Sequence, residues 1–386
     1  MSSTISHNYT RARIITASVL FSLAFVFCQL ILPRQAGAVT GVVLSDPLTV
    51  RWKYESNVTL NLTPAFDRER IYLPLAGGTI VSLNAKDGQL FWRSEMGGQL
   101  SASPVADDSS IYVATEIIDE GGAQPRSGTL RALGREGGVT QWLTPLVKPL
   151  RGAITVKGDK LFAGGSDGRA YAFDKRTGGV FWSIPFQSSF SGQAIADGGR
   201  VYFGSDDGTL IALDESTGKV LWRYRTKGAI RGAVAVANGN VFFGSGDSYV
   251  YAVSADGGKL KWRKRTGAGV EAVALTGEAI LAASLDNFAY LLDFKGSMQW
   301  RKLLPGRISA QPLTVQQAAL FTPLSSSTAV VLALSDGKQI NLLPTGEELT
   351  SSAAPILVGD TIFLTTEHSL LAFARPTEAS TKQEKH

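Results

Sequence analysis

The chain has 386 residues, of which 44% are hydrophobic and 18% charged, a balance that supports a large packed core and excludes a disordered protein. Glycine occupies 41 positions with no Gly-X-Y period, which excludes collagen and calls for many tight turns. Three histidines, at 7, 368 and 386, and one cysteine, at 28, leave a His/Cys zinc site, a Ser-His-Asp triad and a disulfide framework without their parts.

The first expected element is an export segment over residues 1–38. Arg11 and Arg13 precede an uncharged run from Ile14 to Leu32, and the small residues Ala36-Gly37-Ala38 follow. Positive flank, apolar stretch and small-residue ending make a secretory signal. The run of 19 residues is long for a signal and sufficient to span a bilayer. Cleavage after Ala38 and a retained membrane anchor are therefore both open. Cys28 follows Val26-Phe27 instead of the small residues of a lipobox, and it reads as one more apolar residue of the run. Residues 1–38 hold three arginines and no acid, so their removal lowers the basic excess from five to two. No nucleic-acid footprint is expected from that remainder. Without cysteine it is indifferent to an oxidising compartment. The expected location is exported, periplasmic or periplasm-facing, with membrane contact only through an uncleaved N-terminal segment.

A repeat runs through the rest. Trp52, Trp92, Trp142, Trp182, Trp222, Trp262 and Trp300 stand at intervals of 40, 50, 40, 40, 40 and 38. In one copy, Val201–Gly204 is a strand of β-branched and aromatic residues, 205–208 a turn of Ser, Asp and Gly, 209–214 a second strand and 220–225 a third carrying Trp222. A further strand fits before each copy, such as 194–196 or 233–236. Four short strands per forty residues predict an all-β propeller blade. Seven tryptophan strands and Gly337-Lys-Gln-Ile340, with Ile340 in the tryptophan position, count eight blades. The strand at 48–54 lacks three partners, and the strands at 354–358, 361–365 and 369–374 lack a fourth. Pairing these ends closes the ring and removes two exposed edges. The propeller is thus expected over residues 39–375, with a polar, disordered tail at 376–386. The tryptophans are expected to pack between adjacent sheets with their N–H on backbone acceptors. Asp206-Asp207 makes a weak case for calcium, since further oxygen ligands are missing.

The units Val201-Tyr-Phe-Gly-Ser, Asp207-Gly-Thr-Leu-Ile-Ala-Leu-Asp214 and Thr217-Gly-Lys-Val-Leu-Trp222 resemble the tryptophan-docking repeat of the PQQ-like propeller family. The resemblance covers about residues 45–375 and implies an eight-bladed ring. The family includes quinoprotein dehydrogenases and the BamB-type scaffolds of outer-membrane β-barrel assembly, and fold alone does not choose between them. The dehydrogenases are larger, and many hold pyrroloquinoline quinone beneath adjacent cysteines with calcium. A leader followed by a bare, cysteine-free propeller is more similar to the scaffold branch, although a lipobox is missing.

In an up-and-down blade, the loop between blades and the loop between second and third strands share one face. The forty-residue register stacks Arg151, Ser191, Arg231 and Glu271 there, with Gly152, Gly192 and Gly232 beside them keeping the backbone open. Leu150-Arg151-Gly152-Ala153 is echoed by Ile230-Arg231-Gly232-Ala233. The resemblance implies that Leu-Arg-Gly text contacts a barrel partner, while the family's acidic residues have no match around 190–193. The ten extra residues between Trp92 and Trp142 fall at 116–127 on the same face. The expected partner-binding residues are Leu150, Arg151, Ile230, Arg231 and Glu271. The alternative for Arg151 and Arg231 is neutralisation of Glu271 or of backbone carbonyls around the channel. The expected role is a monomeric, non-catalytic envelope scaffold without cofactor or metal, possessing a protein partner in the β-barrel assembly class. The alternatives are a quinoprotein enzyme with its cofactor in the central funnel and Glu271 as the only obvious acid, or a small-ligand or glycan binder.

Overall fold

Strands 200–204 and 209–214 are apolar nearly throughout because each is covered on both faces by neighbouring sheets. Val220–Arg225 alternates instead, with Trp222 buried and Leu221, Arg223 and Arg225 exposed, because it lies at the outer rim. This unit recurs eight times in the computed structural model, which describes residues 42–117 and 127–376. Every regular element among the described residues is a strand, and each sheet is antiparallel. Blades 1 to 7 span 65–95, 99–146, 150–185, 195–225, 235–265, 270–303 and 313–344, each running from the central channel outward. The innermost strand of blade 2 is broken into Gln99–Leu100 and Val105–Ala106, which both pair with Ser110–Ile117. The fold is an all-β, eight-bladed propeller.

Blade 8 joins the two ends of the chain. Ile356–Val358, Thr361–Thr365 and Ser369–Ala374 are followed outward by Thr49–Glu55, with Trp52 opposite Ala372. The expected closure is therefore present. The export segment and the polar tail lie outside the described residues, apart from Pro376, as does most of the extra loop between Trp92 and Trp142.

Blades are joined at the seven tryptophans. Each indole N–H donates to a carbonyl in the next blade's turn between third and fourth strands, at 2.8–3.2 Å, from Trp52 to Ala85 through Trp300 to Leu334. A glycine of that same turn lies on the ring. Gly218 has φ +71°, and a Cβ there would stand 2.7 Å from Cδ2 of Trp182, so both the conformation and the contact require glycine.

The eighth position corrects the sequence reading. Asn341, not Ile340, occupies the tryptophan register: it pairs with Val331 as Trp300 pairs with Leu291. Ile340 is the extra residue of the β-bulge and is exposed. The Asn341 amide donates from Nδ2 to the carbonyls of Leu44 and Asp46, at 2.9 and 2.8 Å. Val42, Leu44 and Leu48 are buried beside Leu320, Val331 and Phe373, filling the seam between blades 7 and 8.

Candidate partner-binding face

The face is built by the entrances of the innermost strands and by the turns between second and third strands. Ring geometry places the entrances side by side. A Cβ on Gly152 would stand 2.5 Å from the carbonyl oxygen of Gly192, one on Gly192 2.6 Å from that of Arg231, and one on Gly232 2.1 Å from that of Glu271. These glycines do not keep the backbone open. They let successive blades approach closely at the channel, where any side chain would collide with the next carbonyl. Ser103 continues the contact on the other side of blade 3, donating its N–H to the Gly152 carbonyl at 2.9 Å.

The structure brings Arg151, Arg231 and Glu271 to this face in neighbouring and next-neighbouring blades. Arg151 opens the strand Leu150–Lys157, and its Nη2 meets Oε2 of Glu116 at 2.6 Å. Glu116 sits in the second strand of blade 2, largely buried. Arg231 is 55% exposed, and its Nε faces Oδ1 of Asp206 at 3.5 Å. The other oxygen of Asp206 accepts from the hydroxyls of Ser189 and Ser191, at 2.5 and 2.8 Å. Oδ1 itself is buried and has no hydrogen-bond partner among the described residues. The carboxylates that answer the two arginines are thus Glu116 and Asp206, not Glu271. Glu271 is half-buried, and among the described residues none pairs with its carboxylate.

Two expected contact residues are placed elsewhere. Leu150 and Ile230 are fully buried, each inside the apolar core of an inter-blade seam. Ile230 lies where a Cβ on Gly204 would come within 2.4 Å of its methyl. Neither side chain has surface to offer a partner, because each is enclosed in its seam while the arginine after it is partly exposed.

Sequence reasoning weighed Asp206 only for calcium and passed over Glu116, and it foresaw neither as the partner of an arginine. Asp206 had a signal: it is an extra acid in a turn whose other copies read Ser166-Asp167-Gly168 and Gly246-Asp247-Ser248. The acid at the Asp207 position of each such turn is structural. Asp167, Asp247 and Asp286 accept the hydroxyls of Tyr171, Tyr251 and Tyr290, at 2.8, 2.7 and 2.5 Å. Burial, reinforced by the Asp286 carboxylate, pushes the Tyr290 hydroxyl up to about 12. Asp207 likewise turns to Ser205, Thr209 and Arg225 and away from Asp206.

The residues at the channel do not fit a quinone–calcium centre. Glu116 and Asp206 already answer arginines. Among the described residues no three His, Cys, Asp or Glu side chains are gathered as metal ligands would be.

Comparison with known proteins places this face in context. A curated relative, the outer membrane protein assembly factor BamB of Shewanella oneidensis, is 28% identical over 116 residues, which cover 29% of this chain and 27% of that protein. The match therefore spans about a quarter of the relative's length. Among solved structures, BamB from Moraxella catarrhalis has a TM-score of 0.71 at 17% identity, covering 85% of this chain and 98% of that one. A computationally designed protein, Ika8, has a TM-score of 0.72 at 15% identity, with coverage of 83% and 98%. A quinohemoprotein alcohol dehydrogenase from Comamonas testosteroni has a TM-score of 0.66 at 13% identity, with coverage of 86% and 77%. At such identities these likenesses show the fold alone. A family model described as Outer membrane protein assembly factor BamB matches residues 39–124, 126–231 and 226–384. Those matches take in nearly the whole propeller, and the chain belongs to that family.

Proposed function

We propose that this protein is a non-catalytic scaffold of the cell envelope that binds another protein through its channel face, in a BamB-like role in outer-membrane β-barrel assembly. The observation that carries the reading is the charged entrance of blades 3, 5 and 6. Arg151, Arg231 and Glu271, whose carboxylate is unpaired among the described residues, reach solvent there beside the buried Leu150 and Ile230. Fixed charges on a rigid face steer and orient a partner at little conformational cost. Leu150 and Ile230 support the contact from inside. Family membership adds the partner class, and the expected export segment adds the compartment.

The test is capture from a native envelope extract with the wild-type protein and with Arg151→Glu and Arg231→Glu. Each substitution places an acid beside Glu116 or Asp206 and reverses the outward charge. Recovery of the principal partner is expected to fall about tenfold, the loss of a charge pair worth roughly 1.4 kcal/mol. Undiminished recovery by both variants, with melting midpoints intact, sinks the reading. Stoichiometric uptake of pyrroloquinoline quinone with calcium, accompanied by dye reduction, would replace it with the enzyme.

A further inference from the structure

The outermost strand of each blade has a neighbour on one side only, so its other edge offers free backbone donors and acceptors. Residues one and three places after the tryptophan point to the same side of that strand. Their charges differ around the ring. In blade 8 Lys53 meets Glu55 at 3.0 Å, and in blade 1 Arg93 meets Glu95 at 3.0 Å, so each pair neutralises itself. Blade 4 carries Arg223 and Arg225 at these places, and blade 5 carries Arg263 and Arg265, all four exposed. Blade 6 carries Arg301 at the first of these places and Leu303 at the second, with Lys302 between them on the opposite side of the strand.

Like charges two residues apart on one strand face repel. Protection of a sheet edge needs only some charge, which the mixed pairs of blades 8 and 1 supply equally well. The fold does little to relieve the repulsion. Arg225 has Asp207 at 3.0 Å, but among the described residues no carboxylate pairs with Arg223, Arg263 or Arg265. Instead Arg223, Arg263 and Arg301 lie over the rings of Phe186, Tyr249 and Phe288, at 5.3, 4.9 and 5.3 Å from the centroids. Such stacking fixes a guanidinium in place while leaving its N–H edges free. These cations come from segments about forty residues apart, so only the ring gathers them into one sector.

We propose that the outer rim of blades 4 to 6 binds an acidic polypeptide segment in extended conformation, added as a strand along Leu260–Arg265. Acidic residues at alternate positions of such a segment share the two-residue spacing of Arg263 and Arg265 and pair with them across the strands. Lys264 presents a third cation on the opposite side of the same strand. The free edge offers donors and acceptors in alternation, and a peptide backbone answers both. A phosphate surface answers donors only, which is why a polypeptide is favoured over a membrane. This surface is on the circumference, and the inference does not depend on the channel-face reading.

The test uses the full chain and a short fluorescent peptide of alternating Glu and Val at low ionic strength, read by anisotropy. The wild type is expected to bind, with hydrogen-exchange protection rising over 260–265. The double variant R263E/R265E is expected to weaken binding by at least about tenfold. Arg93→Glu in blade 1 and Arg151→Glu at the channel face are expected to bind as the wild type does. Should the double variant misfold, R263Q/R265Q carries the same expected loss. A peptide with prolines at alternate positions cannot pair as a strand and is expected not to bind. Equal binding by the folded double variant, equal binding of the proline peptide, or binding to phosphatidylglycerol vesicles but not to the peptide overturns the proposal.

Discussion

A single amide does at one junction what an indole does at seven others. The fourth strand of blade 8 is Thr49–Glu55, from the other end of the chain, so no turn joins it to Ser369–Ala374. The acceptors there are the carbonyls of Leu44 and Asp46, in a segment that the asparagine reaches with two bonds from Nδ2. Asn341→Ala is expected to cost about 1–2 kcal/mol, since it leaves the buried Leu44 carbonyl without this donor. A urea titration checks this: the midpoint should fall with the slope unchanged. A midpoint equal to the wild type's would show that apolar packing of Val42, Leu44 and Leu48 holds the segment alone. The seven tryptophans were legible in the sequence because a rare, bulky residue at fixed spacing has few other uses. Asn341 was not, because the bulge before it shifts the register by one, and a bulge is a property of strand pairing.

Strands bounded by clear turn residues were read closely. The expected limits 209–214, 220–225, 361–365 and 369–374 match the structure, where turns of Gly, Asp and Ser bound apolar runs. The innermost strands slid by one or two residues, to Ile195–Asp197 and Ala235–Ala237. Each is three residues long and paired on one side only, so its limits are set by the second strand's register and not by its own composition. Between elements, one residue often serves twice. Arg135, Lys175 and Glu215 accept an indole N–H on their carbonyls and return their side chains to Asp67, Asp107 and Lys157 in the preceding blade, at 2.6, 2.9 and 3.2 Å.

The loop before blade 8 has a comparable device. Glu348 accepts from Ser369 and Thr366, and Lys53 of the closing strand lies 3.1 Å away. Burial pushes this carboxyl up, but the hydrogen bonds from Ser369, Thr366 and Lys53 outweigh it and hold the group at about 2, below its ordinary 4.5. A depressed carboxyl stabilises the fold fully above its unfolded value, and the contribution is lost as pH falls from 4.5 towards 2. Glu348→Gln is expected to lower the melting midpoint at neutral pH and to flatten its decline over that acid window. Parallel midpoint–pH curves for the two proteins would remove Glu348 from the account of closure.

At the scale of the molecule, stability depends on a ring with no first or last blade. The strand Thr49–Glu55 supplies blade 8 with its outer edge, its Trp52 and the Lys53 contact to Glu348. Deleting residues 39–56 leaves blade 8 with three strands and uncovers the seam that Leu44 and Leu48 fill. The melting midpoint of the whole propeller is expected to fall, not that of one blade alone, because each blade's core is shared with both neighbours. A truncate that melts with the wild type would refute closure as the source of cooperativity.

What the amino-acid sequence determined by itself was the blade, its repetition and the number of repeats. Alternation, turn residues and a tryptophan every forty positions act locally, and each copy states them anew. Only the tertiary structure decided which charges meet and which side chains face out. Arg151 finds Glu116 across 35 positions, and Arg231 finds Asp206 in the blade before it. Leu150 and Ile230, adjacent in sequence to those arginines, turn inward. The reason is geometric: a strand pattern specifies two faces, but which face meets solvent, and at what distance a neighbour's carboxylate stands, follow from how eight sheets close around one axis.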